Sequence, residues 1–554
     1  MAYGISGVFG KTQGGLAVPA DLVILEARVA TMNPASPEAT AVAVQGGRIV
    51  GIGPTAGIRT WIGPSTQVVE ASGRRLIPGL IDSHLHLLGY GLLLERIALS
   101  GTSSREELLY QIKERSEQAG AGEWVLGGGW DEERLGGLPS RHWLDQVAPD
   151  HPVFLARHCY HVGVANTLAL KQAGLWDQTT AIPGGVIDRD ASGWPTGVLR
   201  ENAKERLEKA IPALTGTDCR RVLLRAAREV ASYGITSVHS NDGQGFPPDE
   251  VFAAYTALQS GAEPLPIRVW WDLAVDDLNL AIARGWHSGL GSDMFKVGSV
   301  KFFADGSLGG RTAALHQPYE DDPGNRGILL WDTGAMAERM ARARRHGFQV
   351  AVHAIGDAAA EQVLEAYAAA PRPARNPAHP AAGRLRLIHC QITSPALWQA
   401  MLQLGAVAEV QPRFLASDYP IIEARVGRAR AETSYAWGSM ARLGIPLAFS
   451  SDCPVEPVNP MHAIYAAVTR QTMEGVPDGG WLPGESLSLA EAVAAHTRGP
   501  AYAVGEERDK GQISPGFLAD MVLFEDDPFE AEPARLKDIR VALTIVGGRV
   551  VYRK

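Results

Sequence analysis

Two histidines, His84 and His86, are separated by a single residue at the end of a short apolar run. A Pro-Gly pair precedes the run and glycines follow it, which is the pattern of a buried strand. Side chains at positions i and i+2 of a strand point the same way, so both imidazoles would face one spot. Two imidazoles are a usual first pair of ligands for a divalent metal, although an isolated His-x-His is more often ordinary. The motif therefore indicates a metal site only if the rest of the chain provides further ligands.

Further candidate ligands lie at or just beyond the ends of later predicted strands, and they are Lys301, His353, His389 and Asp452. A single histidine at a strand end is more often a packing residue than a ligand. The chain has 15 histidines in all, and four of them have this placement together with a carboxylate and a lysine. This combination favours a metal centre over ordinary packing.

The elements that must position these residues are apolar runs separated by helical patterns. Eight such runs are predicted as strands, at 80–83, 235–238, 267–271, 300–303, 349–352, 385–388, 406–410 and 446–450. This alternation is typical of parallel βα units, and eight of them close into a TIM-type (β/α)8 barrel with its chemistry at the carboxyl ends of the strands. An open doubly wound sheet would need a glycine-rich dinucleotide turn after the first strand, and the sequence has none there.

The two ends of the chain and one long connection do not follow this alternation. Residues 1–75 and 501–554 have β patterns, with a three-residue hairpin turn at 45–47, and predict one composite β-sandwich-like domain. The connection after the first barrel strand is far longer than usual, and its residues at about 95–225 predict an inserted α+β lid. The predicted fold class is therefore α/β, with the hydrolase-type barrel at 76–500.

Composition and charge exclude several classes of protein. Lysine and arginine number 52 against 61 acidic residues, a net charge of −9, and no basic block is present, so we expect no nucleic-acid partner. The four cysteines are scattered without a C-x-x-C pair, which is typical of a reducing compartment. The N-terminus lacks a signal-peptide pattern and no apolar run reaches membrane-spanning length. We predict a cytoplasmic enzyme without a membrane partner, and a homodimer is a possible assembly.

Motifs surround each of the candidate ligands: IDSHLH at 81–86, VKFFADGSLG at 300–309, HAIGD at 353–357, HC at 389–390 and SSDCP at 450–454. Together they resemble the amidohydrolase superfamily, and more narrowly its branch related to N-substituted formamide deformylase (amidohydrolase family 3 type). Segments of the insertion at 129–131, 161–166 and 184–187 also resemble that branch. The resemblance covers nearly the whole chain. Its ligand set is specific to the superfamily and much less specific to a substrate.

The resemblance implies a binuclear metal centre, with zinc as the expected metal. The implied ligands are His84, His86 and Asp452 on the more buried ion, His353 and His389 on the more exposed ion, and Lys301, carboxylated at Nζ, as the bridge. A carbamate would bring an anionic oxygen to each cation, whereas a bare ammonium would be repelled.

The implied reaction is cleavage of a C–N bond in an amide-like small molecule, an N-formyl or N-acyl amine or a cyclic amide. A metal-bridging hydroxide would attack the carbonyl, and Asp452 would pass the proton to the leaving amine. Asp452 and Lys301 are therefore the predicted catalytic residues.

Four further residues are weaker candidates for substrate contacts: His161 and Trp130 in the insertion, His239 after the second barrel strand, and Arg311 after the fourth. The three aromatic residues have an ordinary alternative, because histidines and tryptophans are often core residues. Arg311 is a candidate binder of a substrate carbonyl or carboxylate on weaker grounds.

Three alternatives remain open from the sequence. A mononuclear deaminase of the same superfamily would need His84, His86, another histidine and Asp452, but not Lys301. Lys301 could also be a plain buried ammonium, paired with a residue such as Asp305. A metal-free interaction protein on the same scaffold would have lost ligands, whereas all six candidates are present here.

Overall fold

The computed structural model describes residues 18–157, 161–177, 181–212, 214–243, 246–371, 379 and 382–554. The chain divides into two compact units. The first combines Met1–Tyr90 with Leu223–Lys554, and the second is Gly91–Val222. Among the described residues, no helix is long and apolar enough to cross a membrane.

The centre of the first unit is a sheet of eight parallel strands. In sheet order they are Leu80–Leu85, Ile235–Asn241, Arg268–Ala274, Phe295–Phe303, Val350–Ala354, Leu385–His389, Val407–Val410 and Leu447–Phe449. The first and last strands meet through the Ser83 hydroxyl, which donates to the Phe449 carbonyl at 3.0 Å. The eight predicted runs correspond to these strands, so the predicted TIM-type barrel is confirmed.

Helices follow or separate the strands of this unit. Their bounds are Thr55–Ile58, Pro248–Ala257, Leu278–Ala283, Thr333–Arg345, Asp357–Ala369, Pro395–Leu404, Pro412–Asp418, Ile422–Ala431, Trp437–Leu443, Pro460–Thr469, Leu489–Ala495 and Arg498–Ala503. Two more, Leu87–Glu95 and Gly216–Ser232, contain the boundaries of the two units. Ser488 and Glu491 form a capping box at the start of Leu489–Ala495, because each side chain bonds to the other residue's backbone N–H.

A buried ionic layer crosses the barrel interior. Arg386 is fully buried and donates to the carboxylates of Asp272 and Glu409 at 2.9 and 2.8 Å. It also donates to the hydroxyl of Ser299 and to the backbone carbonyl of Ser83. One side chain therefore joins five strands of the barrel, and its hydrogen bonds offset the unfavourable burial of its charge.

Both ends of the chain contribute to a second pair of sheets. One is built from the N-terminal end alone, in the order Arg48–Gly53, Ala41–Gln45, Leu22–Leu25, Gln67–Glu70. The other joins both ends, in the order Arg549–Arg553, Val541–Val546, Met521–Phe524, Arg75–Pro78, Arg28–Ala30, Glu38–Ala39. Apolar side chains of the two sheets form one core, so the composite β arrangement is present.

The turn at 45–47 differs from the sequence-based prediction. Gln45 pairs directly with Arg48, so the turn has two residues instead of three. Gly46 and Gly47 have φ angles of 57° and 76°. Both residues adopt left-handed backbone, which matches the twist of the flanking strands and which glycine adopts without strain.

Charged groups connect the barrel strands to the chain that leads back into the β domain. Glu506 pairs with Lys296 of the fourth strand at 2.6 Å and with Lys510 at 2.5 Å. Burial alone would raise the pKa of Glu506, but the two ammonium groups lower it to about 2. The carboxylate is therefore stabilised in the folded state.

The second unit contains a six-stranded mixed sheet in the order Gly185–Arg189, Pro195–Glu201, Val162–Ala165, Val153–Arg157, Val125–Trp130, Ile97–Ala98. Its helices include Arg105–Gln118, Glu132–Leu135, Arg141–Val147, Thr167–Gln172 and Asn202–Glu208. It has its own apolar core. The predicted insertion therefore has the α+β structure expected of it.

Candidate metal centre

Two histidines at the end of the first barrel strand, His84 within it and His86 directly after it, contact the same carboxylate oxygen. His84 Nε2 and His86 Nε2 each lie 3.3 Å from Asp452 Oδ1. Asp452 follows the eighth strand, and its backbone N–H donates to the His84 carbonyl at 2.8 Å. Burial would raise the pKa of Asp452, but hydrogen bonds from the two histidines lower it well below its usual value. Asp452 is therefore an anionic group held between two imidazoles.

Two residues of the cluster have an unusual backbone conformation. Asp452 has a φ of 58° and His389 a φ of 75°, both in the left-handed region that residues with a side chain rarely adopt. Backbone of this kind is concentrated at functional sites, where the surrounding fold enforces it.

The amine of Lys301 contacts an imidazole and pairs with no carboxylate of the described chain. Its Nζ is 3.2 Å from His84 Nε2 and 4.8 Å from the ring centroid of Phe303. Burial lowers the pKa of Lys301 to about 8, although nearby carboxylates oppose this. Within the described parts of the chain, no carboxylate oxygen lies within 4.0 Å of its Nζ.

Asp305, the partner considered for a plain ammonium, has other contacts. Its carboxylate accepts backbone N–H groups at 2.8 to 3.0 Å from Ala314, Ile355 and Gly356. It also lies 3.4 Å from His353 Nε2. Asp305 therefore organises the loops around His353 and does not pair with Lys301.

His353 and His389 form the other half of the cluster. Their ring centroids are 4.3 Å apart, and that of His389 is 5.9 Å from that of His84. His389 Nδ1 donates to Gln411 Oε1 at 2.8 Å, and His353 Nε2 donates to the Gly306 carbonyl at 2.9 Å. The rings of His353, His389 and His84 therefore form one continuous cluster.

The ring nitrogens fit the requirements of a metal centre. In His86, His353 and His389, one ring nitrogen donates a hydrogen bond to a protein oxygen, and the other makes no hydrogen bond to the backbone of the described chain. For His86 the acceptor is the Asn241 carbonyl at 2.8 Å. Such hydrogen bonds are usual for metal-binding histidines, since they fix the ring orientation and the tautomer. Burial, followed by the charge of Lys301, lowers the pKa of His84 to about 3, which keeps it in the neutral form that binds metal. One donor atom each from His84, His389 and Asp452 lie within 4.8 Å of one another.

All six predicted ligands are thus brought together by the barrel, from the first, fourth, fifth, sixth and eighth strands. Imidazole nitrogens with carboxylate oxygen suit a divalent ion such as zinc. Among the described residues, the donor atoms close enough together to hold one ion come from His84, His389 and Asp452. The assignment of His84, His86 and Asp452 to one ion and of the other two histidines to a second remains a prediction.

Three supporting residues were not predicted from the sequence. Gln411 orients His389, and the backbone of Asn241 orients His86. Asp82 accepts hydrogen bonds from the Ser451 hydroxyl at 2.6 Å and the His84 N–H at 3.1 Å. Gln411 and Asn241 lie at strand ends, so the criterion that found the ligands would also have found them, whereas Asp82 lies inside the first strand.

Two of the predicted substrate contacts lie in the barrel unit. His239 is fully buried, with Nδ1 3.5 Å from Arg386 Nη2 in the ionic layer. Arg311 forms a two-point ion pair with Asp321 at 3.1 and 2.9 Å. These contacts give each residue a structural partner, and the predicted substrate contacts of His239 and Arg311 remain predictions.

The other two lie in the insertion. Trp130 is fully buried in that unit's core and its indole N–H donates to the Leu155 carbonyl at 2.9 Å, which argues against a substrate contact and for packing. His161 is exposed, and its Nδ1 lies 3.1 Å from a Glu201 oxygen. The predicted contact of His161 with substrate therefore remains a prediction.

Comparison with known proteins agrees with this geometry. The model of the amidohydrolase family matches residues 67–552. A putative amidohydrolase of Bacillus subtilis, YtcJ, is 35% identical over 93% of this chain and 96% of its own length. N-substituted formamide deformylase of Arthrobacter pascens is 27% identical over 96% of this chain and 98% of its own. An uncharacterised metal-dependent hydrolase of Pyrococcus furiosus has a similar structure, with a TM-score of 0.75 at 28% identity over 93% of this chain and 99% of its own.

Proposed function

The chain belongs to the amidohydrolase family and is a metal-dependent hydrolase of that superfamily, and we propose that it cleaves the C–N bond of an amide-like small molecule. The substrate class is an N-formyl amine, an N-acyl amine or a cyclic amide. The observation that carries the proposal is the convergence of Lys301 with His84 and Asp452 in a cluster of four imidazoles.

Lys301 is suited to carboxylation, because carbon dioxide reacts with a neutral amine. Its burial and lowered pKa increase the neutral fraction. Because Lys301 has no carboxylate partner in the described chain, its ammonium form would be poorly compensated in a cluster of four imidazoles. The carbamate instead provides two anionic oxygens, and this is why we propose a bridging role for Lys301 between two ions.

Bound ions and the Asp452 carboxylate have separate roles in the proposed reaction. Bound divalent ions would polarise the substrate carbonyl and lower the pKa of water. Asp452, anionic and held by His84 and His86, accepts the proton of the attacking water and returns it to the leaving nitrogen. One carboxylate at the site is therefore sufficient for both proton transfers.

Support for the substrate class comes from a relative whose name gives an N-substituted formamide as its substrate. The test is a hydrolysis screen of the purified holoprotein with N-formyl amines, N-acyl amines and lactams, with release of the free amine as the readout. We expect turnover of at least one of these classes, abolished by a chelator and restored by zinc. Ammonia release from aminopurines without any amide hydrolysis would contradict the proposal and favour the deaminase alternative.

A further inference from the structure

Asn241 is the last residue of the second barrel strand, and its side chain has no hydrogen-bond partner among the described residues. The residue is 1% exposed, and both its Oδ1 and its Nδ2 are buried and unpaired within the described chain. Buried side-chain amides are nearly always hydrogen-bonded, so a buried amide with both atoms unpaired points to a missing ligand.

The position of Asn241 directs this amide towards the metal centre. Alternate residues of a strand share a face, and His239, two residues earlier, faces Arg386 in the barrel interior. Asn241 is on that same face, one step nearer the carboxyl ends of the strands. Its backbone carbonyl accepts the Nδ1–H of His86, the ligand with the more open side chain at 24% exposure.

The neighbouring residue shows that the strand end is not generally unsatisfied. Ser240 points to the other face, and its hydroxyl donates to Asp242 at 2.7 Å and accepts the Leu87 N–H at 2.9 Å. Of these two adjacent side chains, only that of Asn241 has both of its polar atoms buried and unpaired within the described chain.

The unpaired atoms define the chemistry of the partner. Nδ2 needs an acceptor and Oδ1 needs a donor, whereas a metal ion would satisfy only Oδ1 and an anion only Nδ2. An amide with its carbonyl oxygen and N–H on one edge satisfies both at once, as in a lactam. An ester or an N,N-disubstituted amide has no N–H to offer.

We infer that Asn241 binds the amide group of a lactam-type substrate through two hydrogen bonds and thereby selects cis N–H amides over esters. The inference deepens the proposed function, on which it rests, because it names the feature that the substrate must carry. A site that hydrogen-bonds a substrate N–H discriminates strongly against analogues that lack it, since the buried acceptor is then left unpaired.

The first test compares an N–H lactam found in the hydrolysis screen with the lactone of the same ring. For Asn241→Leu, which is close in size but apolar, we expect kcat/KM to fall about tenfold more for the amide than for the ester. Metal content should stay at the wild-type value. The control is Ser240→Ala on the opposite face, which should keep the wild-type ratio of amide to ester rates.

The second test measures binding without turnover and so separates this inference from the proposed function. Calorimetry of the holoenzyme with 2-pyrrolidinone and N-methyl-2-pyrrolidinone should show about tenfold tighter binding of the N–H lactam. Asn241→Leu should remove the difference, and Asn241→Asp, which retains acceptors only, should reduce it.

Three results would overturn the inference. They are equal affinity or no affinity of the wild type for the two lactams, a preference that persists in Asn241→Leu, and loss of metal from Asn241→Leu. The second result would mean that a trapped water satisfies the amide, and the third that Asn241 supports the ligands. Failure of the hydrolysis screen with the lactam preference intact would contradict the proposed function alone.

Discussion

Lys301 is the residue on which the number of bound ions depends. Its amine lies against His84 and away from any carboxylate partner within the described chain, so as an ammonium it would be poorly compensated. We predict that Lys301→Ala loses one ion and most of the activity, because the cations lose their shared counter-charge. Elemental analysis and kcat check this, and a small carboxylic acid in the medium should partly restore both.

Lys296, on the same strand, provides the matched control for this substitution. Its ammonium pairs with Glu506 instead of with a histidine. Lys296→Ala should therefore keep its metal. If Lys301→Ala also keeps both metal and activity and the added acid has no effect, the bridging role is wrong.

Strand periodicity was sufficient to predict the six clustered side chains, because it fixes which residues lie at the carboxyl ends of a barrel. It was not sufficient for residues whose role depends on a distant partner. Arg311 pairs with Asp321 and Trp130 donates to Leu155, and neither choice follows from residue type or local spacing. His161 remains a prediction.

At the scale of elements, the end of the seventh strand supports a ligand on the sixth. Gln411 accepts from His389 and donates to the Ser450 hydroxyl, both at 2.8 Å. We predict that Gln411→Leu weakens the binding of one ion by about 10- to 100-fold, since the imidazole loses its orienting partner. A metal titration measures this. Gln362→Leu, whose amide donates to Trp331 outside the cluster, should leave the affinity unchanged; equal affinities for the two variants would refute the role of Gln411.

The pairing of Glu506 with Lys296 and Lys510 predicts a pH-dependent contribution to stability. The folded-state pKa of about 2 lies below the ordinary value of 4.5, so the contribution is present above about pH 5 and is lost as the pH falls towards 2. We expect Glu506→Gln to lower the free energy of unfolding by about 1–3 kcal/mol at pH 7 and much less near pH 3.

Urea denaturation at the two pH values measures this difference. The control is Glu507→Gln, because the Glu507 carboxylate is 32% exposed in its pair with Arg384 and should contribute less. A destabilisation of Glu506→Gln that is the same at both pH values would show that charge is not the cause.

The elements themselves were largely predictable, whereas their cross-connections were not. Apolar runs and helical patterns predicted all eight barrel strands, but the hairpin at 45–47 is shorter by one residue because its two glycines form the whole turn. The ionic layer around Arg386 has no local signature, since Asp272 and Glu409 come from strands far apart in the chain.

At the scale of the whole molecule, the insertion is a separate unit with its own core. Its role as a lid that sets substrate choice stays a prediction, as do the cytoplasmic location and the homodimer. His161→Ala should change the relative rates among amides while metal content and thermal midpoint stay constant, because the ion pair with Glu201 is exposed at both ends. A rate panel with metal analysis tests this, and either unchanged ratios or lost metal would contradict it.

We propose that side chains on five barrel strands form a binuclear metal centre. The most direct test is elemental analysis of the purified chain after loading with zinc and exhaustive dialysis. We predict two divalent ions per chain, held by the four histidines, Asp452 and carboxylated Lys301. One ion or fewer per chain under the same conditions would contradict it.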